Sequence, residues 1–220
     1  MTRSSEIVEV RFVRRRQDAI VAIIGVVILG IGMLLVRDGD VSDFEESVFH
    51  AINDLPGALY PLMWPFQQIG ALLIGPVVAI VAFVTHHRRL ALAALAATFL
   101  KLATERIVKV MVSRERPGTS IGADIHMRGD VSAEGESFVS GHAVMVAAMA
   151  GLISPYLSGR WKIIPWALVV MVMIGRVYVG AHNPLDVVCG AALGVAIAGV
   201  LNLAFGVPAP SGASEPSHDG

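Results

Sequence analysis

The stretch Gly175-Arg176-Val177-Tyr178-Val179-Gly180-Ala181-His182-Asn183-Pro184-Leu185-Asp186 joins two long apolar runs, Ile163 to Val179 and Leu185 to Phe205. Each run approaches the ~20 apolar residues that a helix needs to cross a bilayer core. A bland turn would serve between two such helices, yet this one carries an arginine, a histidine and an aspartate. Asn183-Pro184 reads as a helix start, with Asn183 as N-cap and Pro184 at the first helical position. Asp186 then falls in the first turn, where it reaches back towards His182. A carboxylate that holds one imidazole nitrogen leaves the other free to act as base or nucleophile. Arg176 adds a permanent charge and a planar fork suited to phosphate.

The remainder of the chain has the same character. Of its 220 residues 55% are hydrophobic and only 16% charged, which indicates an integral membrane protein. The formal net charge of −1 and the lack of a basic patch with interleaved aromatics argue against a nucleic-acid partner. The single cysteine, Cys189, lies in an apolar run, so it has no partner for an intrachain disulfide. Four more apolar runs precede the two already quoted: Ala19 to Val36, Tyr60 to Val84, Leu90 to Val112 and Ser140 to Leu157. The expected fold is therefore all-α, a polytopic membrane protein with six transmembrane helices. Residues 1–18 form a basic N-terminal segment, 19–206 the membrane domain, and 207–220 a Pro/Ser/Gly/Ala-rich tail expected to be disordered. Pro61, Pro65 and Pro76 fall in the second run, and a helix bundle tolerates them.

Two further readings bear on the architecture. Phe44, Val48 and Ile52 recur at helical spacing among acidic residues, which predicts a short interfacial helix resting on that face, with His50 and Asn53 solvated or capping. Lys101, Glu105 and Lys109 stand four apart in the third run and form one face of paired charge. Basic residues fix the orientation. With the N-terminus inside, the inner segments hold Arg3, Arg11, Arg14, Arg15, Arg16, Arg88, Arg89, Arg160 and Lys162; the outer loops hold Arg37, Arg114, Arg116 and Arg128. Both termini are then cytoplasmic. Lys109, the polar connection from Ser113 to Phe138, His142, Arg176 and His182 converge at the outer face of the cell membrane.

Three clusters meet there. Lys109 and Arg116 bracket the end of the third helix, which Pro117 terminates. Ser137-Phe138-Val139-Ser140-Gly141-His142 opens the fourth, with Ser140 at the N-cap and Gly141 leaving room for an anion against free N–H groups. Arg176, His182 and Asp186 complete the set. These parts supply positioning and charge stabilisation for phosphoryl transfer, and no cofactor or metal is expected.

Lys109-(six residues)-Arg116-Pro117, then Ser140-Gly141-His142, then Arg176-(five residues)-His182-(three residues)-Asp186 resembles the three-part signature of the type-2 phosphatidic acid phosphatase family, which is related to the vanadium-dependent haloperoxidases. The resemblance implies His182 as the nucleophile that forms a phosphohistidine, with Asp186 orienting it. It implies His142 as the acid that protonates the leaving alcohol. Lys109, Arg116 and Arg176 hold the phosphate oxygens together with the Ser140 and Gly141 region. The chain departs from the pattern at Val139, commonly proline, and at Gly175, commonly serine; neither removes a catalytic group.

The implied activity is hydrolysis of a phosphomonoester or diphosphate of a membrane lipid at the outer face. Phosphatidate, phosphatidylglycerophosphate and polyprenyl (di)phosphates all present a phosphate at that depth, and the loop carrying Asp124, His126 and Arg128 is expected to select among them. The alternatives are a transporter or flippase using Lys101, Glu105 and Arg106 as a charged path, and a non-catalytic relative that binds lipid phosphates. The first would be built from inverted repeats; the second would lack a histidine or Asp186.

Overall fold

A computed structural model of the chain describes residues 11–209. Most of residues 1–18 and of the tail 207–220, whose expected disorder concerns mainly 210–220, lie outside the described residues. Nine helices are present among them: α1 (Arg16–Leu35), α2 (Asp43–Asn53), α3 (Tyr60–Ile69), α4 (Ile74–Val84), α5 (Arg88–Met111), α6 (Pro117–Ser120), α7 (Gly141–Ile153), α8 (Ile163–Tyr178) and α9 (Pro184–Phe205). Two-residue strands β1 (Phe12–Val13) and β2 (Val207–Pro208) pair antiparallel. Val207 and Pro208, read as part of the tail, thus fasten the two ends of the chain to one another at one face.

The apolar runs became helices at nearly the expected bounds. Three of them, Arg16–Leu35, Gly159–Tyr178 and Pro184–Phe205, are long and apolar enough to cross a membrane. The exception is Tyr60–Val84, which is two helices bent by 63° at a short break rather than one continuous helix. Pro65 is accommodated inside α3. Pro76 is not accommodated in a continuous helix, because its ring would clash with the carbonyl of Leu72 four residues before. The chain breaks at Gly70–Leu73 and restarts at Ile74, which places Pro76 in the first turn of α4.

The core is built around α7 and α9. From Ala143 to Ala150 every residue of α7 is buried, as expected for a helix that is apolar all round. Small residues bring the backbones together in the way that membrane helices pack. A Cβ on Gly190 would stand 2.6 Å from the Ser140 carbonyl oxygen, and one on Gly199 2.6 Å from that of Asp18, so α9 meets α7 on one side and α1 on the other only because both are glycines. The end of α9 is capped by arginines: Arg14 Nε donates to Leu203 O at 2.7 Å and Arg89 Nη1 to Phe205 O at 2.9 Å.

α2 forms as predicted, with Ile52 of the apolar stripe packed inward and Phe44 turned out. Ser42 caps it, accepting from the Glu45 N–H at 3.3 Å. Glu45, Phe49 and Asn53 are buried, whereas Phe44 is 79% exposed. Phe49 packs with Ala143, Val177 and Val187, so α2 lies across the mouth of the α7–α8–α9 bundle. Asn53 is neither solvated nor a cap. Its Nδ2 donates to His126 O at 2.9 Å and Tyr178 O at 3.1 Å, and its Oδ1 accepts from His126 N–H at 2.7 Å. It pins the Ser113–Phe138 connection to the end of α8.

Candidate active site

α9 begins at the site and, at 22 residues, carries the chain about 33 Å to β2, so the site and the paired chain ends occupy opposite faces. Gly180, with φ of +76°, ends α8 and turns the chain back, and Ala181 N–H donates to Arg176 O at 3.1 Å. That turn sets His182 above α8 with its side chain buried. Asn183 N–H donates to Asp186 Oδ2 at 2.8 Å, the reach-back expected of a carboxylate at the third helical position. Ser140 N–H donates to Asp186 O at 3.0 Å and ties the start of α7 to the start of α9.

Asp186 does not hold His182 directly. Its Oδ2 lies 3.7 Å from His182 Nδ1, beyond hydrogen-bond reach. Ser137 stands between them: its hydroxyl donates to Asp186 Oδ2 and lies 3.2 Å from His182 Nδ1. A hydroxyl has one hydrogen. Since Ser137 gives its hydrogen to the carboxylate, it accepts from Nδ1–H, and Nε2 is left with its lone pair. Ser137 was quoted with its cluster but given no role, because contacts across 45 and 49 residues leave no local spacing to read. Burial drives the His182 pKa down to about 4, with Arg176 and Arg116 pushing the same way and Asp186 opposing. The ring therefore stays neutral down to about pH 4. In ¹⁵N spectra of histidine-labelled protein at pH 6, the resonances lost in His182→Gln are expected to be those of a neutral ring protonated at Nδ1. An imidazolium, or a ring protonated at Nε2, would contradict this arrangement.

The other oxygen of Asp186 is held from the loop after α5. Arg114 Nη1 donates to Asp186 Oδ1 at 2.9 Å and to Glu45 Oε1 at 3.1 Å, and Arg114 Nη2 donates to Glu45 Oε2 at 2.5 Å. Glu45 Oε1 also accepts the free N–H of Leu185 at 2.8 Å. Burial pulls the Arg114 pKa down, but Glu45 and Asp186 outweigh it and hold it above the usual arginine range. The Arg114 side chain is fully enclosed, so it is a clamp rather than a ligand for substrate. The sequence shows Arg114 only as an outer-loop arginine, and Glu45 only as one of the acidic residues of the interfacial helix.

Six of the expected site residues come together: His182, His142, Arg116, Arg176, Ser140 and Gly141. Ser140 occupies the N-cap position of α7, yet its hydroxyl makes no capping hydrogen bond. Arg176 Nη1 donates to Gln67 Oε1 at 3.0 Å, and Arg116 Nη1 donates to Ala181 O at 3.3 Å. Ser140 Oγ, Arg116 Nε, Arg176 Nε and Gln67 Nε2 are buried without a partner. His142, in the first turn of α7, is under the influence of Arg176, His182, Lys101 and Arg116. The break between α3 and α4 rests on it, since a Cβ on Gly70 would lie 2.8 Å from His142 Cβ. Lys109 is less direct. The expected ladder forms, with Lys101 Nζ 2.5 Å and Lys109 Nζ 3.0 Å from Glu105, and it is the Lys101–Glu105 end that abuts Gly141. His126 stays mostly exposed, and Arg128 is engaged with Tyr178 O at 2.6 Å and Leu55 O at 3.0 Å.

Buried donors without partners mark a place for an acceptor-rich ligand. The set of two arginine forks, a hydroxyl, the first N–H groups of α7 and two imidazoles is suited to a tetrahedral oxyanion.

Comparison with known proteins places the fold and the family. LpxE of Aquifex aeolicus has a similar structure, with a TM-score of 0.62 and 24% identity over 76% of this chain and 98% of that one. A transmembrane PAP2-type phosphatidylglycerolphosphate phosphatase of Bacillus subtilis is similar at a TM-score of 0.60 and 18% identity, over 86% of this chain and 95% of that one. No curated protein sequence matches. The model of the PAP2 superfamily matches residues 90–207, which contain all three clusters and more than half of the sequence, and the chain belongs to that superfamily.

Proposed function

We propose that the protein is a lipid phosphate phosphatase that works through a phosphohistidine on His182, without a metal. The observation that carries this reading is the group of partnerless buried donors, Ser140 Oγ, Arg116 Nε and Arg176 Nε, gathered around two histidines. His182 Nε2 attacks phosphorus, the bond from phosphorus to the lipid oxygen breaks, and His142 supplies the proton that the departing oxygen takes. The phosphate dianion beside His142 favours its protonated form. The His182 ring carries positive charge once Nε2 is bonded to phosphorus, and Asp186 offsets it through Ser137. In the second step His142 takes a proton from water, the hydroxide oxygen bonds to phosphorus, and the P–N bond breaks to release inorganic phosphate.

The substrate reading rests on placement. Broken or not, α3 and α4 lie in series, and α5, 24 residues and about 36 Å long, exceeds a bilayer core. The Lys101–Glu105–Lys109 pairing offsets the charge that α5 carries at membrane depth. Counted with α1, α7, α8 and α9 these give six crossings, both chain ends in the cytoplasm and the site at the outer face, where a lipid phosphate of the cell membrane presents its headgroup. The transmembrane phosphatidylglycerolphosphate phosphatase of Bacillus subtilis, whose name specifies a lipid substrate and membrane placement, favours the same class. Purified protein is expected to release phosphate from phosphatidate, phosphatidylglycerophosphate or a polyprenyl diphosphate in the presence of a chelator. Release that requires added magnesium would overturn the metal-free mechanism, and no release from any of the three would overturn the function.

A further inference from the structure

The broken span brings one residue into the site that no motif contains. Gln67 lies in the last turns of α3 and is buried. Its carbonyl accepts from Arg176 Nη1 at 3.0 Å, so the orientation of the amide is set and Nε2 points the other way. Nε2 has no partner and no access to solvent. It fills the space beside the Cα of Gly175, where a Cβ would overlap it. Gly70, three residues on and on the same face of α3, is the residue that touches His142. The amide is therefore enclosed between Gly175, Arg176 and the corner occupied by His142. A buried N–H group left without an acceptor is costly, and this one belongs to the amide that holds Arg176, one of the donors gathered for an oxyanion.

We infer that Gln67 is a phosphate-positioning residue: its carbonyl holds Arg176 in place, and its amide N–H donates to an oxygen of the bound phosphoryl group in the room that Gly175 leaves. A helix outside the three motif clusters thus contributes a donor to the site, and Gly175 is glycine because the amide needs its space. The inference rests on the phosphatase reading above.

The pair makes a reciprocal test with vanadate, whose five-coordinate form resembles the transition state of phosphoryl transfer. Inhibition of aryl phosphate hydrolysis by vanadate is measured for wild type, Gln67→Ala, Gly175→Ser and the double variant, with thermal unfolding in detergent recorded for each. One hydrogen bond to a charged group predicts that Gln67→Ala weakens vanadate by about tenfold to a hundredfold. Gly175→Ser alone is expected to weaken it as well, because its Cβ displaces the amide. The double variant is expected to recover most of the loss, because the serine hydroxyl then has room and replaces the missing donor. Vanadate inhibition of Gln67→Ala equal to wild type, or a double variant whose loss is the product of the two single losses, overturns the inference. If Gln67→Ala does not fold, Gln67→Met replaces it: that variant keeps the length of the side chain, adds no charge and removes the donor. Weaker vanadate at an unchanged Tm then supports the inference, and wild-type inhibition overturns it. Vanadate that fails to inhibit the wild-type protein counts instead against the phosphatase reading itself.

Discussion

His182→Ala is expected to abolish turnover of every substrate, by about 10⁴-fold or more, because on the proposed mechanism it removes the atom that bonds to phosphorus. His142→Ala is expected to behave differently. A lipid alkoxide is a strongly basic leaving group and gains the full benefit of a proton donor, typically about 10²–10⁴-fold. Nitrophenolate departs without a proton, so an aryl phosphate should lose far less, and a diphosphate, whose leaving group is itself a phosphate, should fall between. The comparison belongs to single-turnover formation of the phosphoenzyme, since the dephosphorylation step is common to all substrates. Equal damage to all three classes would make His142 a binding group rather than an acid. Aryl phosphatase activity surviving in His182→Ala would remove His182 from the nucleophile's role.

The second large effect is on the fold around the site. Arg114→Met leaves Glu45 and Asp186 as neighbouring buried carboxylates with no cation between them. Removing one partner of a buried, hydrogen-bonded ion pair costs about 3–5 kcal/mol, and a fall in Tm of roughly 10 °C follows. Activity should fall with it, because Asp186 loses the contact that fixes Oδ1 and the Leu185 N–H loses an ordered Glu45. Arg116→Met makes the control. Its guanidinium makes one long bond to Ala181 O and leaves Nε free, so its loss should weaken phosphate binding while leaving Tm within about 2 °C. A Tm unchanged in Arg114→Met, or lowered as much in Arg116→Met, would reverse the roles assigned to the two arginines.

That contrast also shows what a sequence displays and what it hides. The helices were legible because each apolar run carries its own length, and α1, α5, α7, α8 and α9 begin and end within a few residues of the runs that announced them. The break in Tyr60–Val84 was not, because Pro65 and Pro76 look alike in the sequence, yet α3 runs through Pro65 while the chain restarts so that Pro76 falls in the first turn of α4. The inward face of α2 was misjudged for a related reason. Phe44, Val48 and Ile52 are apolar at the right spacing, but the mouth of the bundle is lined by Arg114, which draws Glu45 inward and turns Phe44 out.

Within the site the same division holds. Arg176, His182 and Asp186 were readable because one turn and the start of one helix bring them together, and Ser140, Gly141 and His142 because they open another. Glu45, Arg114, Ser137 and Gln67 act across 45 to 140 residues of sequence, where no periodicity connects them. They are the residues that hold the first group in place: Ser137 sets the histidine tautomer, Arg114 and Glu45 fix the aspartate, and Gln67 fixes Arg176. The departure at Gly175 follows from the same distance effect, since the side chain that excludes a Cβ there comes from α3.

The central claim is that phosphate passes through a covalent bond to His182. It is tested most directly by mixing the protein with a lipid phosphate labelled with ³²P, quenching in alkaline detergent within the first turnover and mapping the labelled peptide. The expected label sits on His182, is stable in base, is lost in acid and is missing from His182→Ala. A wild-type protein that releases labelled phosphate at full rate and never carries label on His182 would contradict it.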